Sequence, residues 1–93
     1  MTDLSIEDFA TWVGEACEVA VDETALPMTL AAVEPLDGSP RETGGFRLEF
    51  LGPPEPILGQ AIVTVRRPAF DREIFMVPIA SGPDGTRYEA VFY

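Results

Sequence analysis

Phe46-Arg47-Leu48-Glu49-Phe50 is the stretch that decides the fold. Its apolar and charged residues alternate strictly, so Phe46, Leu48 and Phe50 share one face of a pleated strand and Arg47 and Glu49 the other. A helical period does not fit that pattern, and the segment is read as a strand with one dry and one wet side. Loops flank it. Residues 36–45 carry Asp37-Gly38, Pro40 and Gly44-Gly45 upstream, and residues 51–59 carry Gly52, Pro53, Pro54 and Pro56 downstream. Both compositions break regular structure.

Strand patterns recur on either side of this segment. Residues 16–21 alternate in part and end at the acidic turn Asp22-Glu23. An apolar run over residues 28–33 is closed by Glu34-Pro35, and a β-branched run over residues 61–66 stops at Arg67-Pro68. Residues 73–80 form the longest apolar run, and Gly82-Pro83-Asp84-Gly85 is a strong hairpin turn before a last strand over residues 87–93. Only the N-terminus differs. Ser5 and Asp8 make a short-armed capping box, with Leu4 and Phe9 at the staple positions. Ile6, Phe9, Ala10 and Val13 follow helical spacing, so a helix is expected over residues 5–13 with Gly14 as its stop. The expected fold is mainly β, a single domain over residues 1–93. It is a six-strand antiparallel small barrel or strongly curved sheet with local, meander-like connections, and one short N-terminal helix plugs an open end.

Composition bounds the function. The chain has 93 residues, 46% of them hydrophobic, enough for one packed core. Sixteen acidic residues oppose six basic ones, with no histidine, for a net charge of −10. That charge argues against nucleic acid and anionic membrane surfaces as partners. It serves solubility, or it complements a basic partner. Met1 to Asp8 is acidic and lacks the apolar core of a signal peptide, and no run approaches the ~20 apolar residues of a membrane span, so a cytoplasmic location is expected.

Catalysis is read by elimination. With no histidine and no lysine, the usual general base near neutral pH and Schiff-base chemistry are both missing. Cys17 lies between Glu15 and Glu18, which disfavour a thiolate, and is read as a small buried apolar residue. As the single cysteine it can form no intrachain disulfide. Glu7-Asp8, Asp22-Glu23 and Asp71/Glu73 are acid pairs typical of solvated turns. Zinc and copper sites lack their ligands, no calcium loop is present, and Glu15, Glu18, Asp22 and Glu23 offer only an adventitious cation cluster. No phosphate-binding glycine loop occurs. No catalytic residue, metal site or cofactor is therefore expected.

Two stretches stand out as interface candidates. Ile57 and Leu58 end a loop whose Pro53 and Pro56 have polyproline-ligand spacing, although a stiff crossover folding both aliphatics onto the core is the preferred explanation. Residues 74–79 are apolar on both faces of their strand, with Ile74, Met76 and Pro78 on one side and Phe75, Val77 and Ile79 on the other. One set enters the core. The set of Ile74, Met76 and Pro78 is taken as the outer, interface-forming one, with Ile57 and Leu58 beside it.

Residues 46–50 with Gly52-Pro53, residues 58–60, residues 75–79, and the ending Asp84-Gly85-Thr86-Arg87-Tyr88-Glu89-Ala90-Val91-Phe92 together resemble an uncharacterised bacterial domain-of-unknown-function family. Its members are stand-alone β-rich proteins of similar length that end in an R-Y-E-A-V-F motif. The resemblance implies a small β domain without established activity, and an accessory or assembly role near phage-tail-like or fibre structures. The leading expectation is a non-enzymatic protein-interaction or assembly module that binds a protein partner or itself. The alternative is a small-ligand-binding β-barrel or a minimal carboxylate-based enzyme.

Overall fold

A computed structural model describes residues 4–38 and 45–92. One helical turn, α1 (Glu7–Ala10), precedes six strands: β1 (Ala16–Val21), β2 (Thr24–Leu36), β3 (Gly45–Gly52), β4 (Ala61–Arg67), β5 (Phe70–Gly82) and β6 (Gly85–Phe92). All pairings are antiparallel, and the sheet closes into a barrel in the order β1-β2-β3-β6-β5-β4. The mainly β barrel is thus the one expected, but its connections are not a simple meander. Two three-stranded meanders, β1-β2-β3 and β4-β5-β6, are joined by residues 53–60, which cross from β3 to β4 over one end of the barrel. Pro40, Gly44 and Tyr93 lie outside the described residues.

The two 13-residue strands let a small sheet close. β2 pairs with β1 through residues 24–29 and with β3 through residues 29–36, and its register shifts between Leu30 and Ala32. β5 pairs with β4 through residues 70–76 and with β6 through residues 77–82, shifting between Pro78 and Ala80. Each shift is a bulge, which bends a strand and raises its twist so that it can turn a corner. Pro27, Pro35 and Pro78 all fall in half-strands paired on one side only. A residue without an N–H fits such a half-strand, because one flank makes no ladder bonds.

Inward-facing Val19, Leu30, Leu48, Phe50, Val63, Val65, Met76 and Tyr88 fill the barrel. One end is closed by aromatic rings. Phe9 is fully buried with its centroid 5.8 Å from Phe46, 5.5 Å from Phe70 and 6.0 Å from Phe92. Trp12 adds to this plug, its indole N–H donating to the Asp8 carbonyl at 2.9 Å. At the other end the crossover is pinned where the Leu58 N–H donates to the buried Tyr88 hydroxyl at 2.9 Å. Leu58 packs against the core, as a stiff crossover requires.

The helix is shorter than the expected span of residues 5–13. Ser5 makes no side-chain cap; instead its backbone N–H donates to Asp8 Oδ2 at 2.8 Å, the reverse half of a capping box. Ala10 and Val13 are exposed, and the buried pair is Phe9 and Trp12, three residues apart. A single turn held by two rings at the barrel mouth does not need a longer apolar stripe.

Candidate functional site

Direct antiparallel partners share a face, so the registers fix the outer surface. Ile62 is opposite Phe75, Arg47 is opposite Val91, and Glu34 is opposite Arg47. The β5–β6 ladder ends at Val77–Glu89, and its register, extended by two residues along each strand, leads to Phe75 and Val91. One row therefore runs around the outside of the barrel: Ile62, Phe75, Val91, Arg47, Glu34. Its two halves differ in chemistry.

The first half is apolar and exposed: Ile62 retains 65% of its surface, Phe75 54% and Val91 53%. Half-buried Val77 lies diagonally beside Phe75 and Val91. A contiguous apolar surface of this kind marks contact sites more often than scattered single side chains do.

The second half is an ion-pair network. Arg47 donates to Glu89 at 2.7 Å, to Glu49 at 3.2 Å and also to Glu34. Arg87 donates to Glu49 at 2.6 Å. Glu49 and Glu89 are direct cross-strand partners, a repulsive placement that the two guanidinium groups relieve. The hydrogen bond it donates to Glu89, then that to Glu34, holds Arg47 protonated well above the ordinary arginine range.

The expected interface residues are distributed differently. Ile74 and Met76 are 2% and 1% exposed and lie in the barrel interior, which corrects their assignment to an outer face. The register is the reason: Ile74 pairs with buried Val63, so residues of its parity point inward and Phe75 points out. Pro78 is half-buried opposite Tyr88, the residue that also accepts from Leu58, and Ile57 is exposed on the crossover. Phe75, expected on the core side, is exposed, and Ile62 and Val91 are exposed beyond the expected interface set. Their signal lies in the charged residues of the same strands: Asp71 and Glu73 share the parity of Phe75, and Arg87 and Glu89 share that of Val91. An apolar residue in phase with charges sits on the wet face.

A second feature lies at the seam, where β1 and β4 close the barrel through only three pairs, Glu18–Arg66, Val19–Val65 and Ala20–Thr64. A groove of about 330 Å³ follows it, lined by Cys17, Glu18, Leu26, Pro27, Arg66 and Arg67 among others. Arg67 stacks 4.6 Å above the Trp12 ring and donates from Nη2 to Glu15 at 3.1 Å. Its Nη1 is buried with no acceptor among the described residues. Burial pushes the Cys17 thiol up to about 11 against the opposing pull of Arg67, so the group is a neutral thiol at neutral pH. Among the described residues, no three His, Cys, Asp or Glu side chains gather as a metal site, and no helix is long and apolar enough to cross a membrane.

Neither a curated protein nor a solved structure matches the chain. A family model does match, over residues 4–92, and the chain belongs to that family, a domain of unknown function (DUF6916).

Proposed function

We propose that this domain is a non-enzymatic protein-interaction module that docks through the outer face of β4, β5 and β6. The observation that carries this reading is the exposed row of Ile62, Phe75 and Val91 across three adjacent strands of a barrel whose interior is already filled. Burying such a row on a partner recovers about 25 cal/mol per Å² of apolar surface. An accessory place in a fibre- or tail-like assembly is the setting that the sequence resemblance favours. The test is the size of the protein in extracts of its native host. The wild-type chain is expected to migrate well above its 10.1 kDa mass, and the triple variant Ile62→Ser, Phe75→Ser, Val91→Thr to migrate as a folded monomer. A wild-type chain that migrates as a free monomer, or a triple variant that keeps the larger size, overturns the reading.

A second reading, a small-ligand site in the seam groove, is favoured by the buried Arg67 Nη1 that lacks an acceptor. A ligand anion bound there would slow modification of the adjoining Cys17 thiol.

A further inference from the structure

From the charge pattern around the exposed row we infer that its partner is a basic protein segment, an apolar ridge flanked by lysine or arginine, and not a second copy of this chain. The inference rests on the docking reading above and specifies the chemistry of the partner.

Area comes first. The apolar row amounts to a few hundred Å², whereas a stable interface takes about 800 Å² from each partner. The rim must supply the rest, so its charge selects the partner.

That rim is acidic wherever it is available. Glu73 lies on the outer face two residues from Phe75, opposite Thr64, and has no ion pair among the described residues. At the Ile62 end, the pairing of Ala20 with Thr64 runs β1 alongside β4 and brings the exposed Asp22-Glu23 turn toward Ile62. Neither of those carboxylates has an ion pair among the described residues. At the Val91 end the cations are already engaged: Arg47 by Glu34, Glu49 and Glu89, and Arg87 by Glu49. Among the described residues a partner's carboxylates would find only Arg72 without an ion pair, and it lies on the opposite phase of β5 from Phe75, over the Phe70 ring, while a partner's cations would find Glu73, Asp22 and Glu23. A symmetric contact between two copies would set the same acids against one another across the interface, on chains that each carry −10.

Two synthetic amphipathic helical peptides with identical leucine positions, one flanked by lysine and one by glutamate, are the probes, with a leucine-free lysine peptide as control. Binding is followed by NMR. The lysine–leucine peptide is expected to bind at least about tenfold more tightly than its glutamate twin, with shifts centred on Ile62, Phe75 and Val91 and an affinity that falls with salt. Glu73→Lys is expected to weaken it at least about tenfold. Glu55→Lys, the same change in net charge on the exposed crossover, is expected to weaken it less than about threefold. Phe75→Ser is expected to reduce the binding to that of the leucine-free control. Equal affinity for the twins, no binding, equal loss in both lysine variants, or a dimer formed through these same residues overturns the inference. If the complex in host extracts depends on the row while the lysine peptide shows no preference, the charge assignment alone fails. If no such complex exists, the docking reading fails with it.

Discussion

Ala69 and Gly85 show how two neighbouring turns can carry opposite margins. The β4–β5 hairpin closes through Pro68 and Ala69, and Ala69 has φ +63, a region that costs a residue with a Cβ about 1 kcal/mol. Ala69→Gly should therefore raise the unfolding free energy by about 0.5–1 kcal/mol, measured by urea denaturation. Gly85 has φ +141, and a Cβ there would collide with the Gly52 carbonyl oxygen and press on Leu51. Gly85→Ala should cost more than about 2 kcal/mol in the same assay. The Gly-Pro-Asp-Gly turn was legible in the sequence because its residues announce their geometry. The strain at Ala69 was not, since alanine carries no turn signal.

Cys17 makes the other prediction at this scale. Its thiol titrates near 11 in the fold against 9.0 when free, so the native state holds a proton that the unfolded chain releases between those values. Stability contributed by that proton is present below about pH 9 and is lost as pH rises toward 11. Wild type should lose more stability over that window than Cys17→Ala. Alkylation of the native protein at pH 8 should run at least about tenfold slower than that of a model thiol, because the smaller thiolate fraction outweighs its greater nucleophilicity. Alkylation at or above the model rate would show a thiolate that this environment does not support.

Among the elements, β3 was the most legible, because Arg47 and Glu49 alternate with three residues that are fully buried. β2 and β5 were read too short. Pro35 closes the expected β2, but in a closed barrel a half-strand with one neighbour accepts a proline, as β5 does at Pro78 within its expected run. The double-sided apolar run of β5 also concealed which face was dry. Parity with Asp71 and Glu73, against Arg72 alone on the other phase, points the right way: Phe75 is out, Met76 is in. The outer face of β3 and β6 makes its own prediction. Arg47→Met leaves Glu34, Glu49 and Glu89 facing one another with only Arg87 to offset them, and should destabilise the fold by about 1–2 kcal/mol. The loss should shrink in high salt, and Arg47→Lys should recover only part of it, since one ammonium cannot serve three carboxylates in that fork geometry. Equal stability of Arg47→Met and wild type at low salt would show that the network contributes nothing.

At the scale of the whole molecule, closure of the barrel turns an ambiguous sequence into a defined surface. An N-terminal turn that plugs the end with Phe9 and Trp12 leaves the strands' outer faces uncovered, and Ile62, Phe75 and Val91 are the most exposed large apolar side chains on them. Strand order could not be read from the chain, because the swap that places β3 beside β6 and β1 beside β4 depends on a loop whose prolines fit several paths. The acidic balance was plain from composition; that its uncommitted part borders an apolar row emerges only from the registers. The most direct test of the central claim is site-specific photo-crosslinking in the native host, with a benzoyl-phenylalanine placed at Phe75 and, as a control, at Ala31, an exposed position on β2. A discrete adduct from position 75 and none from position 31 is the predicted result; no adduct from position 75, or the same adducts from both, would contradict it.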